Sequence, residues 1–258
     1  MTGTPRVMAA GQTDVGRKRT HNEDNFEIVE SENLFMVADG MGGHSSGEVA
    51  SRMAVDTVAE FFKATSADPE ATWPYKMDRT RGYEENRLVT GLKLANRRIY
   101  EASQRESRLH GMGTTMVALI CVQNECVLGH VGDSRVYRLR GENLEQLTED
   151  HSLLNDYIKM KSMTQEEIDN FPHKNVIVRA LGMKETVKVD AIVDKPEAGD
   201  VYVLCSDGLA GPISDEEIRT ICVANKDLNV ASQALIDQAN ANGGPDNISA
   251  VLIRWMGA

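Results

Sequence analysis

Apolar residues along this chain follow two periods. Between residues 46 and 63, Ala50, Met53, Ala54, Thr57, Val58 and Phe61 recur three and four apart, which places them on one face of a helix. Residues 84–108 repeat the pattern with Leu88, Leu92, Ala95, Ile99 and Ala102, and Gly91 in that stripe permits close packing of another helix. Elsewhere the apolar residues come in short runs of strand length. Residues 7–14 predict a first strand, and 26–29 and 34–38 predict a hairpin joined by the polar link 30–33. Four strand signals then follow closely, at 114–123, 125–131, 135–140 and 143–147. Their links are too short for parallel crossovers, so they predict an antiparallel meander. Residues 187–193 and 200–205 resume strands. Ser214-Asp215-Glu216-Glu217 starts a helix with a capping signal, 229–241 predicts another helix, and 248–255 a closing strand.

Two segments break the periods. Residues 65–81, with Pro69 and Pro74, read as a loop whose Trp73 and Tyr75 fold back onto the body. Residues 149–182 are polar and helix-like in pieces, an excursion beside the main body. There is no internal repeat and no low-complexity linker. Helices grouped in the middle and at the end, with antiparallel strands between, predict an α+β fold. The chain reads as a single domain over residues 1–258.

Composition narrows the function classes. The net charge of -11, from 28 basic and 39 acidic residues, argues against nonspecific binding to nucleic acid or anionic membranes. No run approaches the roughly 18 apolar residues of a membrane span, and the first eleven residues hold no signal-peptide core. These features predict a soluble, cytoplasmic protein. Cys121, Cys126, Cys205 and Cys222 form no CxxC pair, and are expected to be buried free thiols.

The candidate chemistry lies in the turns. The stretch Val37-Ala38-Asp39-Gly40-Met41-Gly42-Gly43-His44 ends an apolar run on an aspartate beside bare glycine backbone, and Ser45 and Glu48 then stand at capping-box spacing before a helix. An acidic side chain there suits a cation, and glycine lets backbone atoms approach closely. Asp24, Asp133, Asp207 and Asp246 share the setting: each lies in a short polar turn at the edge of an apolar strand. Taken singly, each is an ordinary turn aspartate. If the strand ends gather at one sheet edge, the carboxylates converge, repel, and call for cations among them. Oxygen-only ligands favour Mg²⁺ or Mn²⁺ over zinc.

In order, these motifs are Arg19-x-x-Asn22-Glu23-Asp24, Asp39-Gly40-Met41-Gly42-Gly43, Gly113-Thr114-Thr115, Gly132-Asp133-Ser134-Arg135, Asp150-His151-Ser152, Ser206-Asp207-Gly208-Leu209 and Gly244-x-Asp246-Asn247. The series resembles the metal-dependent serine/threonine protein phosphatases of type 2C (the PPM family) in their compact bacterial form, over nearly the whole chain. The resemblance implies two packed antiparallel sheets with helices on both outer faces, a four-layer sandwich. It implies two or three Mn²⁺ or Mg²⁺ ions. Asp39 would bridge two metals, with the Gly40 carbonyl on one; Asp24 would reach one through coordinated water, with Glu23 alongside. Asp207 and Asp246 would ligate the other, and Asp133 with Asp207 a third, looser one. Arg19 would grip the substrate phosphate, and its fork suits a tetrahedral oxyanion.

The implied reaction is hydrolysis of phosphoserine and phosphothreonine esters by a metal-activated hydroxide, with no covalent phosphoenzyme. Many eukaryotic members carry a histidine directly after the Asp-Gly pair as general acid. Met41 stands there in this sequence, so the proton donor falls to metal-bound water first and His44 second. Residues 149–182 take the place of the flap that recognises the protein substrate. The implied partners are phosphorylated proteins, a Ser/Thr kinase and its substrates, and the expected state is a monomer. Two alternatives stay open: a non-catalytic member that only binds a phosphoprotein or regulator, and a phosphatase of small metabolites.

Overall fold

The computed structural model of this chain describes residues 5–42, 46–68, 70–161, 163–173 and 176–257. The described strands begin with β1 (Val7–Asp14), β2 (Asp24–Val29) and β3 (Leu34–Met41). Two long helices follow, α1 (Ser46–Ala67) and α2 (Tyr83–Arg105). Then come β4 (Gly113–Thr114), β5 (Met116–Val122), β6 (Glu125–Val131), β7 (Arg135–Arg140) and β8 (Asn143–Gln146). The excursion carries α3 (Leu153–Met160) and α4 (Gln165–Asp169). The chain closes with β9 (Asp190–Asp194), β10 (Val201–Cys205), α5 (Asp207–Ala210), α6 (Asp215–Ala224), α7 (Leu228–Ala241) and β11 (Ile248–Trp255). The strands form two antiparallel sheets. One runs β1-β11-β10-β7-β8; the other runs β2-β3-β5-β6-β9, with β4 paired to the end of β3.

Strand alternation builds the layers. Along β3, Leu34, Met36 and Ala38 face the core shared with α1 and α2, while Phe35 and Val37 face the core between the sheets. In β5, Met116, Ala118 and Ile120 take the helix side, and Val117, Leu119 and Cys121 the sheet side. The other sheet mirrors this: Ile248, Ala250 and Leu252 of β11 pack toward α6 and α7, and Val251, Ile253 and Trp255 pack inward. Strands buried on both faces read as unbroken apolar runs. Two helix-on-sheet cores and one sheet-on-sheet core make the four-layer sandwich. Truncating Phe35, 1% exposed, to alanine would cost about 3–5 kcal/mol.

Several boundaries differ from the sequence expectation. The meander divides after β6: β5–β6 belong to one sheet and β7–β8 to the other, so Gly132-Asp133-Ser134 is where the chain changes sheets. Gly132 has φ 114, and a Cβ there would lie 2.5 Å from the Thr115 side chain, so only glycine fits this crossing. β3 continues past Asp39, because Gly40 and Met41 pair with Thr114 and Gly113. α1 runs to Ala67; its last turn lacks apolar period but is held where the Thr65 hydroxyl donates to the Phe61 carbonyl and Arg87 of α2 donates to Thr65 and the Phe62 carbonyl. The second long helix stops at Arg105, and a 3₁₀ turn, Ser107–Leu109, follows.

Other expectations hold. Ser214 and Glu217 form the capping box of α6. Trp73 packs on Phe61 and Tyr83, and the Tyr75 hydroxyl donates to the Lys93 carbonyl. A Cβ on Gly91 would meet Val58 at 3.4 Å, so α1 and α2 touch there. All four cysteines are buried free thiols. Among the described residues no helix is long and apolar enough to cross a membrane. Ser45, of the capping spacing read before α1, lies outside the described residues, as do Gly43 and His44.

Candidate metal centre

Sheet pairing brings the first two aspartates together. Asp24 opens β2 directly across from Asp39 in β3. Asp207 follows β10 as the first residue of α5, a short helix where the sequence predicts a turn, and Asp246 precedes β11, the strand paired with β10. Asp133 sits at the crossing between the sheets. Asp133, Asp207 and Asp246 line one cleft of about 600 Å³, together with Asp150, Ser152 and Leu154 at the root of the excursion. The five predicted aspartates therefore gather at one edge of the sandwich.

Their electrostatics follow from that crowding. Burial is the largest cause in each shifted case. It pushes Asp24 up to about 7, with Asp207 and Asp246 adding repulsion and the hydroxyls of Ser206 and Ser249 pulling back. Burial, then Asp207 and Asp150, raises Asp133 to about 7. Burial, with Asp24, Asp207, Asp133 and Asp246 around it, holds Asp39 well above the ordinary carboxylate range. Asp207 is raised by burial and Asp246, and lowered by a hydrogen bond to the Asp39 carboxyl. Carboxyls buried and crowded together in this way mark a place suited to positive charge.

The donor set fits a hard cation. Asp24 Oδ1 and Asp133 Oδ1 are buried with no hydrogen-bond partner in the described structure. Buried carboxylate oxygens without a partner are costly unless a cation takes them. Gly40 is enforced by packing: a Cβ there would lie 2.1 Å from the Gly47 carbonyl oxygen and 2.5 Å from that of Glu23. Among the described residues no three acidic, histidine or cysteine side chains already close on one point. The edge is an open arc of carboxylates, as expected of Mg²⁺ or Mn²⁺ sites completed by carbonyls and water.

Arg19 stands at the rim. Its Nη2 donates to Asp246 Oδ2 at 2.7 Å, and that bond is the main cause holding the guanidinium above its ordinary value. Asn247 ties down the loop that carries it: its Nδ2 donates to the carbonyls of Val15 and His21, and its Oδ1 accepts from the Glu23 N–H. Glu23 is raised mainly by burial, and its carboxylate accepts from the Gly47 N–H. Met41 ends β3 and carries no transferable proton.

The sequence reading assigned no role to the polar side chains beneath the aspartates. Asp39 is braced by Thr114, whose hydroxyl donates to its carbonyl at 2.8 Å, and by Thr115, whose hydroxyl accepts from its N–H at 3.2 Å and bonds Ser134 at 2.6 Å. Ser206 holds Asp24 at its side chain instead, its hydroxyl donating to Asp24 Oδ2 at 2.7 Å. The available signal was a run of small hydroxyl and amide residues flanking each turn. A larger cavity, about 910 Å³, lies elsewhere, lined by Glu32, Tyr83 and Arg87 among others. Its buried cation, Arg87, is taken up by Glu32, Glu84, Thr65, Ser66 and the Phe62 carbonyl.

A sandwich of two sheets whose acidic turns meet at one edge defines a class of metal-dependent phosphohydrolases, and comparison with known proteins specifies it. The family model for protein phosphatase 2C matches residues 13–253. The chain is 39% identical over 249 residues to the serine/threonine phosphatase stp of Listeria monocytogenes serotype 4b, covering 94% of this chain and 93% of the relative. The crystal structure of the Mycobacterium tuberculosis serine/threonine phosphatase PstP/Ppp superposes with a TM-score of 0.84 at 33% identity, covering 97% of this chain and 99% of that one. The catalytic domain of PstP in complex with two manganese ions gives 0.82 at 32% identity, covering 98% and 100%. The chain belongs to the protein phosphatase 2C family, and is thereby a metal-dependent protein serine/threonine phosphatase.

Proposed function

We propose that the acidic edge is where this phosphatase holds two divalent cations, Mn²⁺ or Mg²⁺, with a third, looser position beside them. Asp39 would lie between the two, the Gly40 carbonyl would serve one, and Asp24 would reach it through water with Glu23 alongside. Asp207 and Asp246 would serve the other, and Asp133 with Asp207 the third. The observation that carries this reading is the pair of buried, unpartnered oxygens on Asp24 and Asp133, in the same acidic cluster as Asp39 and Asp207.

Bound there, such cations supply a water acidic enough to attack phosphorus at neutral pH and offset the charge on the phosphoryl oxygens. Arg19 receives the substrate phosphate. Its side chain is 52% exposed, and among the described residues only Nη2 of its fork is engaged, which leaves donors for phosphate oxygens. Met41 cannot protonate the leaving alkoxide, and His44 is the nearest titratable side chain after it in sequence.

Residues 149–182 act as the flap. Their root shares the cleft with the aspartates, and they present Tyr157, Ile158 and Met160 to solvent as an adaptable surface for a phosphorylated protein. The physiological partners on this reading are a Ser/Thr kinase and its substrates, met in the cytoplasm by a monomeric phosphatase. The test is phosphate release from a phosphothreonine peptide with Mn²⁺, with Mg²⁺ and with excess chelator. Turnover with either metal that vanishes with chelator is expected. No turnover from folded protein that still binds metal would favour a binding-only role. Preference for sugar or nucleotide phosphates at equal concentration would move the substrate class to metabolites.

A further inference from the structure

Beneath Asp24 lies a connected chain of small polar groups. The Asn22 side-chain amide donates to Thr13 Oγ1 at 2.8 Å, and its carbonyl oxygen accepts from the Asp24 N–H at 3.1 Å. Thr13 Oγ1 and Ser249 Oγ are 2.8 Å apart. Either hydroxyl can supply the proton between them. Along a second branch the Ser249 N–H donates to Ser206 Oγ at 3.0 Å, and the Ser206 hydroxyl donates to Asp24 Oδ2 at 2.7 Å. Each hydroxyl has one proton to give, and an ionised carboxylate only accepts. The Ser206 branch therefore ends on the Asp24 carboxylate, and the Thr13–Asn22 branch ends on the Asp24 N–H.

The geometry points to Ser206, Ser249, Thr13 and Asn22 as a positioning chain that fixes the Asp24 carboxylate and turns its unpartnered Oδ1 toward the cation site. Ser206 and Ser249 are fully buried. Thr13, Ser206 and Ser249 are carried by or adjoin β1, β10 and β11 of one sheet, while Asp24 opens β2 of the other. The chain thus sets the acidic edge from across the sandwich. With Oδ2 held by Ser206, rotation about the carboxylate is blocked, and Oδ1 is the oxygen left for the cation shell. Groups that orient a metal-facing carboxylate in this way are worth about 10–100-fold in metal affinity.

This inference rests on the reading that Asp24 faces a cation, and the experiment separates the two. Mn²⁺ binding would be titrated by the loss of the free-ion electron paramagnetic resonance signal, on the parent, Ser206→Ala, Thr13→Val, Thr13→Ser and Asp24→Asn, with circular dichroism of each. Ser206→Ala is expected to weaken Mn²⁺ binding about 10-fold or more, while kcat at saturating Mn²⁺ falls by less than the affinity does. Thr13→Val keeps the side-chain shape and removes the proton; it is expected to weaken binding several-fold, with recovery in Thr13→Ser. Parental affinity in both Ser206→Ala and Thr13→Val, with weakened binding in Asp24→Asn, would overturn the positioning chain and leave the cation reading standing. Parental affinity in Asp24→Asn would overturn the cation reading itself. Should Ser206→Ala fail to fold, the Thr13 pair decides: equal affinities of Val and Ser variants overturn the proposal.

Discussion

At the acidic edge, Asp24 and Asp133 are buried, and each turn is held by side chains from a distant strand. Across the same cleft, residues 149–182 expose Tyr157, Ile158, Met160, Val176 and Val178, and α3 has no buried residue. The flap is held mainly to itself and at its root: Leu153 N–H donates to the Val176 carbonyl, Val178 N–H to the His151 carbonyl, and Tyr157 packs on Phe171 at 5.2 Å. On the proposed reading the difference separates two tasks. Phosphoryl chemistry needs charges fixed in place, at the cost of burying like charges together. Recognition of varied protein surfaces needs apolar contacts that can adjust.

The largest effect expected of any single change is at the edge. Asp39→Asn or Asp207→Asn should lower metal-dependent kcat on the order of 10³-fold or more, with circular dichroism unchanged. A variant at parental rate would remove that residue from the centre. Arg19→Ala should lower kcat/KM by about 10–100-fold, the worth of a charged hydrogen bond to phosphate; an effect confined to thermal stability would make Arg19 only the partner of Asp246.

The joint between flap root and sheet gives a pH-dependent contrast. His130 stacks on His151 at 4.3 Å, and burial, its largest cause, pushes His130 down to about 3. Its folded value lies below the unfolded one of about 6.5, so the unfolded chain binds the extra proton and stability is lost as pH falls below 6.5. His130→Phe lacks that term. Its stability relative to the parent should rise as pH drops from 7 to 4, on the order of 2 kcal/mol by urea unfolding. A constant difference across that range would contradict the assignment.

At the flap the effect should be smaller and selective. Tyr157→Ala with Met160→Ala should raise KM for a phosphoprotein several-fold to about 10-fold, and leave p-nitrophenyl phosphate hydrolysis at the parental rate. Equal losses on both substrates would erase the division of labour. The smallest effect serves as a control: Asp227→Ala removes the cap of α7, at the opposite end of that helix from Asn242 in the cleft lining, and should cost about 1 kcal/mol of stability with no change in turnover.

The legible part of the molecule was the part written in local patterns. The apolar run Leu34 to Ala38 announced a buried strand and Ile248 to Trp255 a closing one, and the acidic turns announced the carboxylates that the fold brings to one edge. What stayed hidden depends on tertiary assembly. Nothing local says that β7 leaves the sheet of β6, since the short Gly132-Asp133-Ser134 link serves a hairpin and a sheet crossing equally well. The Ser206–Asp24 bond joins residues 182 apart, and the Thr13–Ser249 bond residues 236 apart. A serine that aims a carboxylate looks, in sequence, like any serine in a turn.

The central claim is that cations sit at the acidic edge, shared by Asp39. The direct measurement is anomalous scattering at the manganese edge from crystals grown with Mn²⁺. The account predicts two peaks about 3.5–4 Å apart, one within ligand distance of Asp39 and the Gly40 carbonyl, the other of Asp39, Asp207 and Asp246. A single peak away from Asp39, or none at this edge in crystals of active protein, would contradict it.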